Sequence, residues 1–178
     1  MGNINISVNK VSIGTGSPTF VIAEIGINHN GDMISARNLI QAAKNSGADA
    51  VKFQTYVTEK RVKSDSPIYD ILKQCELSFN DQHDLFDFAR DLNLIAFSTP
   101  FDEESIDFLI SISCPIFKVA SFDSVNNSLL RRIGATGMPI ILSTGMTNIE
   151  ELKIAKKSLG YHENGTGCDL ALLHCVSV

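Results

Sequence analysis

The sequence predicts an α/β fold of the (β/α)8 barrel type, in which parallel strands alternate with helices. Six short apolar runs indicate strands, and amphipathic helical patterns lie between them. The runs are nearly continuous and do not alternate with polar residues, which is typical of strands covered on both faces, as in parallel sheets. The predicted strands are Thr19–Ile25, Ala50–Gln54, Leu94–Ser98, Ile116–Ala120, Ile140–Ser143 and Leu170–Cys175.

Helices are indicated by apolar residues that recur on one face. Met33–Asn45 and Asn80–Leu92 carry such residues at helical spacing. A further helix is predicted to begin with the capping sequence Thr147–Glu150, in which the first side chain bonds the backbone of the first turn. Gly47 and Gly160 stand where a glycine commonly ends a helix. The chain therefore alternates strand and helix along most of its length.

Residues outside this repeat form an N-terminal extension and one long connection. Residues 1–17 precede the first strand, and weak alternation over Ile4–Val11 predicts a small hairpin there. Thr58–Leu77 is a longer connection that contains Pro67. Residues 18–178 are expected to form one partial barrel domain, truncated after about six strands, because a closed barrel has eight strands and typically ~250 residues.

An open, doubly wound sheet is the alternative to a barrel. A nucleotide-binding sheet of that kind usually carries a glycine-rich turn after its first strand. The first predicted strand continues into AEIGINHNG (23–31), which contains neither G-x-G-x-x-G nor a P-loop. The sequence therefore favours the barrel.

Composition limits the partners and the compartment. The 178 residues carry a net charge of −5, which disfavours nucleic acid and anionic membranes as partners. No apolar run approaches the ~20 residues needed to span a bilayer, and the polar N-terminus does not resemble a signal peptide. The four cysteines are widely spaced, which favours buried free thiols in a reducing cytoplasm over disulfides.

Polar side chains recur where the predicted strands end, which is where barrel enzymes place their catalytic groups. A lysine within an apolar strand is costly to bury without a partner, and an ion pair with Glu24 would explain one such lysine. Two strand lysines and several hydroxyl groups together fit a phosphate or carboxylate ligand better. The candidate residues are Glu24, Lys52, Gln54, Thr99, Lys118, Ser121, Ser143 and Ser177.

Some of these side chains have more than one interpretation. Glu24, at the mouth of the predicted barrel, is a candidate general acid or base, or a partner for a substrate hydroxyl. Thr99 and Thr144 are also candidates for turn caps. His29 and His174 are candidates for metal ligation or proton transfer, although a single histidine is more often structural.

Six ordered motifs over residues 18–178 resemble the sialic acid synthase family. Its members make N-acetylneuraminate and the related nonulosonates legionaminate and pseudaminate. The motifs are FVIAEIGINHNG (20–31), VKFQT (51–55), FSTPFD (97–102), FKVASFD (117–123), PIILSTGM (139–146) and LLHCVS (172–177).

The resemblance implies a (β/α)8 barrel followed by a small antifreeze-like C-terminal domain, which is absent from this sequence. It implies a transferase that forms a carbon–carbon bond, condensing phosphoenolpyruvate with an N-acetylmannosamine-type aldose to give a sialic acid and phosphate. It also implies a homodimer and a divalent metal, Mn²⁺ or Mg²⁺. The metal ligands are expected beyond Val178, with none in this chain.

The resemblance also assigns roles to individual residues. Two lysines and four hydroxyl residues would form the phosphoenolpyruvate pocket: Lys52, Lys118, Thr99, Ser121, Ser143 and Ser177. Glu24 would lie near the sugar and the reacting carbons, and Gln54 would contact the sugar region.

Two other functions remain open from the sequence. One is another phosphoenolpyruvate-condensing or aldolase-type barrel enzyme, in which Lys52 or Lys118 forms a Schiff base. The other is a non-catalytic, truncated ligand-binding module. The metal ligands that the resemblance implies are expected beyond Val178, so the fragment alone is expected to be inactive if they are essential. The sequence does not specify which aldose is used.

Overall fold

The structure is a computed structural model that describes residues 5–162 and 167–176. These residues fall into two units, one of which is Thr19–Cys114, while the other combines the residues up to Pro18 with those from Pro115 onward. Ser177, a predicted site residue, and Ile4, the start of the predicted hairpin, lie outside the described residues. The proposed division into an extension and a barrel domain stays a prediction.

Strands and helices alternate along most of the described chain. The strands are β1 (Asn5–Val8), β2 (Val11–Gly14), β3 (Ile22–Gly26), β4 (Ala50–Thr55), β5 (Ile95–Pro100), β6 (Phe117–Val119), β7 (Ile140–Ser143) and β8 (Leu170–Leu173). The α-helices are α1 (Met33–Asn45), α2 (Thr58–Arg61), α3 (Tyr69–Cys75), α4 (Phe79–Asp91), α5 (Glu103–Ser111), α6 (Asn127–Gly134) and α7 (Ile149–Ser158), and a 3-10 helix covers Ser121–Val125.

All six predicted strands are present as β3 to β8; β7 has the predicted bounds, and the other five strands differ from the prediction at one or both ends. β8 ends at Leu173, two residues before the predicted end at Cys175. Its parallel partner β7 ends at Ser143, which pairs with Leu173, so the strand pairing stops at this point. The apolar run continues past this point, which explains why the sequence pattern overestimated the strand.

The predicted helices are confirmed as α1, α4 and α7: α1 has the predicted bounds, α4 begins and ends one residue earlier than predicted, and the start of α7 is corrected. The N-cap of α7 is Asn148, not Thr147, and its side chain forms a capping box with Glu151. The connection Thr58–Leu77 contains the short helices α2 and α3, which the sequence pattern did not indicate.

An antiparallel hairpin of β1 and β2 confirms the one expected near the N-terminus, although it continues to Gly14. Its two turn residues, Asn9 and Lys10, have φ angles of 47° and 70°. Positive φ at both central residues is the pattern of the type I′ turn, whose twist matches that of the flanking strands.

The unit Thr19–Cys114 is built on β3, β4 and β5, which are parallel and follow one another in chain order. Alternation along β4 sends its side chains to two faces. Phe53 stacks on Phe86 of α4 with ring centroids 5.4 Å apart, and Thr55 donates a hydrogen bond to Gln82 of the same helix at 2.7 Å. Lys52 and Gln54 therefore lie on the face that turns away from α4.

The other unit holds β6, β7 and β8, again parallel and in chain order. Its core includes Leu130 and Ile133 of α6 and Ile140 of β7, all fully buried. A doubly wound sheet reverses its strand order at a switch point, and neither unit contains such a reversal. The α/β fold class is confirmed, and the order of the strands within each unit agrees with the barrel.

Two further expectations concern cysteines and membrane spans. None of the four cysteines forms a disulfide; Cys75, Cys114 and Cys168 are buried and Cys175 is half-buried. Within residues 5–162 and 167–176, none of the helices has the length and apolar character required to cross a membrane.

Candidate active site

Three predicted site residues meet on the neighbouring strands β3, β4 and β5. The register pairs Glu24 with Lys52, and Lys52 Nζ lies 2.7 Å from Glu24 Oε2. The same ammonium group donates a hydrogen bond to Thr99 Oγ1 at 3.3 Å. The Lys52 side chain is 11% exposed and that of Glu24 is 49% exposed, so the carboxylate end of this group is open to solvent.

From the sequence, an ion pair with Glu24 is one explanation for a lysine within an apolar strand. Lys52 forms that ion pair. Partly exposed ion pairs of this kind contribute only ~0–1 kcal/mol to stability, so the fold gains little from it. The pair gathers a cation, an anion and the Thr99 hydroxyl on one sheet face. Such a set can bind both an anionic group and a hydroxyl group of a ligand.

Gln54 lies on the same face of β4 as Lys52, and it is held by a residue that the sequence did not single out. Arg61 Nη1 donates a hydrogen bond to Gln54 Oε1 at 3.1 Å. The Arg61 guanidinium also lies over the rings of Tyr56 and Phe101, 4.6 and 3.7 Å from their centroids. Arg61 belongs to α2, a helix too short to show a helical pattern, so nothing in its sequence neighbourhood marked it.

A glycine at the end of β3 makes room for the Glu24 carboxylate. Gly26 has a φ of 53°, in the left-handed region where a side chain is disfavoured. A Cβ atom at this position would lie 2.8 Å from Glu24 Oε1 and 3.6 Å from Gln54 Nε2. The polar ends of both side chains therefore border the space that Gly26 leaves empty.

In the other unit, Lys118 and Ser143 are in direct contact. Lys118 is only 8% exposed, and its Nζ donates hydrogen bonds to Val119 O and to Ser143 Oγ, each at 2.6 Å. The Lys118 ammonium and the Ser143 hydroxyl are both groups that can donate hydrogen bonds to an anion. This part of the chain can therefore bind a carboxylate or phosphate group.

Ser121 is fixed by the segments that follow β7 and β8. Its Oγ accepts a hydrogen bond from Gly145 N at 3.1 Å and lies 3.5 Å from Cys175 Sγ. The hydrogen bond with Ser121 is the main cause of a lowered pKa for the Cys175 thiol. A Cβ atom at Gly145 would lie 2.7 Å from Cys175 O, so this close approach requires glycine.

The predicted site residues thus divide between the two units. Glu24, Lys52 and Thr99 are in contact in one unit, and Gln54 lies on the same sheet face. Lys118 and Ser143 are in contact in the other unit, which also contains Ser121.

The sequence model of the NeuB family matches residues 39–178. This chain belongs to the NeuB family. The resemblance to the sialic acid synthases is confirmed by this match, by named relatives and by a solved structure.

Two relatives of this NeuB-family chain match most of its length. An N,N′-diacetyllegionaminic acid synthase of Legionella pneumophila is 40% identical, and the match covers 92% of this chain and 50% of that protein. An uncharacterized protein of Methanocaldococcus jannaschii is 42% identical over 172 residues, which cover 97% and 50%. The chain spans about half the length of these curated relatives.

The solved structure is that of an N-acetylneuraminic acid (sialic acid) synthetase from Leptospira borgpetersenii in complex with citrate. It matches with a TM-score of 0.92 at 32% identity and covers 99% of this chain and 60% of that chain. This likeness confirms the predicted fold, a portion of a synthase barrel.

The two candidate histidines of this NeuB-family chain have different surroundings. His29 is 2% exposed, and its Nδ1 accepts a hydrogen bond from Gly31 N at 3.0 Å. Burial lowers the pKa of His29, which favours its neutral form. His174 is exposed. Across the described ranges, no group of three or more His, Cys, Asp or Glu side chains is placed to hold a metal ion.

The lowered pKa of His29 predicts a loss of stability in mild acid. In the unfolded chain, His29 should have the ordinary histidine pKa of about 6.5. Below that pH it takes up a proton more readily in the unfolded chain than in the folded protein, so the free energy of unfolding falls as the pH falls. Urea unfolding at about pH 7.5 and about pH 5.5 measures this effect. His29→Asn, which keeps an acceptor for Gly31, should reduce the pH dependence.

His83→Asn is the matched control, because His83 is an exposed histidine of α4. It should retain the pH dependence of the unaltered protein. The same pH dependence in the His29 and His83 variants would show that His29 does not resist protonation in the folded state.

Proposed function

We propose that the protein condenses phosphoenolpyruvate with an N-acetylmannosamine-type aldose to give a nonulosonate and inorganic phosphate. Membership of the NeuB family carries the proposal, because named relatives that match this chain are nonulosonate synthases. The contacts of Lys52 and Lys118 with hydroxyl groups support it from the chemistry of the chain itself.

Phosphoenolpyruvate is the proposed ligand of Lys52 and Lys118 and of the hydroxyl residues that contact them. It carries a phosphate and a carboxylate, so its binding requires cations and hydrogen-bond donors. Lys52 and Thr99 offer such groups in one unit, while Lys118 and Ser143 offer them in the other. Ser121 is a further residue that we propose binds phosphoenolpyruvate. Positioning of reactants can contribute several kcal/mol to catalysis, up to ~7–11 in the best intramolecular reactions.

The proposed reaction forms one carbon–carbon bond and breaks one carbon–oxygen bond. The methylene carbon of phosphoenolpyruvate attacks the aldehyde carbon of the open-chain sugar, and the aldehyde oxygen takes up a proton. Water then adds to the resulting cationic carbon and loses a proton. The new hydroxyl becomes a carbonyl as the bond from that carbon to the phosphate oxygen breaks, and its remaining proton passes to the departing phosphate. Glu24 is proposed to orient or deprotonate this water, or to balance the developing positive charge.

A divalent cation, Mn²⁺ or Mg²⁺, belongs to the proposal, since it would polarise the aldehyde as a Lewis acid. The described residues offer no group of ligands for it, and the expectation remains that the ligands follow Val178. The homodimer and the cytoplasmic location likewise stay predictions.

A panel of sugars tests the proposed function in the protein expressed from its complete reading frame. Phosphoenolpyruvate and Mn²⁺ are incubated with N-acetylmannosamine, with a diacetamido-trideoxymannose or with its altrose counterpart. We expect one of these sugars to elicit phosphate release and a product of the corresponding nonulosonate mass. Phosphoenolpyruvate binding without sugar-dependent phosphate release would favour a binding module. Covalent trapping by borohydride would favour a Schiff-base enzyme.

Replacing Gly26 with alanine should reduce this activity by displacing the Glu24 carboxylate. The added Cβ would lie 2.8 Å from Glu24 Oε1, and the left-handed backbone would add a strain of about 1–2 kcal/mol. Gly47→Ala is the matched control, because Gly47 has a φ of 78° and its added Cβ would meet nothing within 4 Å. Both variants should lose similar thermal stability, and only Gly26→Ala should lose turnover. Equal turnover in the two would contradict this role of Gly26.

A further inference from the structure

We propose that Arg61 is a positioning residue that sets the affinity for the sugar by fixing the orientation of the Gln54 side-chain amide. The inference rests on the proposed function, in which Gln54 contacts the sugar. It adds a residue from α2, outside the strands that carry the predicted site.

The hydrogen bond between the two residues determines which way the amide faces. A guanidinium group only donates hydrogen bonds, so the atom of Gln54 that faces Arg61 must be its carbonyl oxygen. The contact of Arg61 Nη1 with Gln54 Oε1 at 3.1 Å fits this requirement. The Gln54 NH2 group is therefore directed away from Arg61.

The Gln54 NH2 group, which faces away from Arg61, borders the same space as the Glu24 carboxylate. The position of a Cβ at Gly26 lies 3.6 Å from Gln54 Nε2 and 2.8 Å from Glu24 Oε1. A hydrogen-bond donor and an acceptor thus both border this space at the end of β3. This pair is complementary to an uncharged group that both accepts and donates, such as a hydroxyl or an acetamido group of a sugar.

Arg61 is itself held on an aromatic platform. Its guanidinium lies 3.7 Å from the centroid of Phe101 and 4.6 Å from that of Tyr56. Tyr56 is 2% exposed, and its hydroxyl donates a hydrogen bond to Leu72 O of α3 at 2.9 Å. Because Tyr56 is buried and anchored, the guanidinium has a defined position from which to orient Gln54. A lysine cannot reproduce a planar, stacked donor.

The test compares Arg61→Met, Arg61→Lys and Gln54→Ala in the complete protein, with KM measured separately for the sugar and for phosphoenolpyruvate. We expect Arg61→Met to raise the sugar KM about tenfold, as for loss of a charged hydrogen bond, with little change in the phosphoenolpyruvate KM. Arg61→Lys should remain defective. In the Gln54→Ala background, adding Arg61→Met should have little further effect, because Arg61 acts through Gln54.

Lys60→Met is the matched control, since Lys60 is the neighbouring cation on α2 and pairs with Glu104 at the surface. It should leave both KM values unchanged. Gln54→Glu is a second probe if Arg61→Met fails to fold, because it keeps an acceptor for Arg61 and removes the NH2 donors. It should raise the sugar KM as Arg61→Met would.

The outcomes separate this inference from the proposed function. If the unaltered protein is active and neither Arg61→Met nor Gln54→Glu changes the sugar KM, the role of Arg61 is overturned and the proposed function stands. Multiplicative effects of Arg61→Met and Gln54→Ala, or equal increases in both KM values, would also overturn it. An unaltered protein without sugar-dependent turnover would overturn both.

Discussion

Replacing Glu24 with glutamine should abolish most turnover and leave phosphoenolpyruvate binding intact. Glutamine keeps the size of the side chain but cannot take up a proton or balance a positive charge, and loss of such a group typically costs 10²–10⁴-fold in rate, or ~3–5 kcal/mol. Binding should persist because Lys52 remains and the variant removes a negative charge from beside an anionic ligand. Calorimetric titration measures the binding, and initial rates of phosphate release measure the turnover.

Glu59→Gln is the matched control for this experiment. Glu59 is also a carboxylate paired with a lysine, Lys73, at 3.0 Å, but this pair lies at the surface and joins α2 to α3. Its replacement should change neither binding nor turnover. Near-normal turnover of the Glu24 variant would remove Glu24 from the mechanism.

Replacing Lys118 with methionine should weaken phosphoenolpyruvate binding about 10- to 100-fold, as expected for the loss of a charge-assisted hydrogen bond. Methionine fills much of the same buried volume, so the fold should survive, with some loss of stability because Ser143 loses a hydrogen-bond partner. The sugar KM should change far less, since the sugar carries no anionic group. Calorimetry with phosphoenolpyruvate and initial rates over a range of sugar concentrations separate the two effects.

Lys153→Met is the control for the loss of a lysine, because Lys153 is an exposed residue of α7 paired with Glu150. It should bind phosphoenolpyruvate as the unaltered protein does. If Lys118→Met weakened the two substrates equally, the assignment of Lys118 to the phosphoenolpyruvate pocket would be wrong.

The strands and their polar residues could be predicted because they contrast with their surroundings. A parallel strand covered on both faces is a run of apolar residues, so the charges of Lys52 and Lys118 stand out within it. The contact of Lys118 with Ser143 then follows from two neighbouring strands ending at the same edge. The ion pair of Glu24 and Lys52 was likewise among the explanations considered from the sequence.

The contacts of Arg61 could not be predicted because no local pattern encodes them. α2 has four residues, about one turn, which is too short to produce helical periodicity. Arg61 reaches the ring of Phe101 only through the packing of distant segments. Cys175 is a similar case, since its neighbour Ser121 lies 54 residues earlier in the chain.

In the proposed reaction, carbon–carbon bond formation is coupled to cleavage of the carbon–oxygen bond of phosphoenolpyruvate. Phosphoenolpyruvate labelled with oxygen-18 at the bridging position tests it directly, using the complete protein and the sugar that supports turnover. The released phosphate is predicted to carry the label, and the product to have the mass of the sugar extended by the three carbons of pyruvate. Unlabelled phosphate, released together with unextended sugar, would contradict the claim.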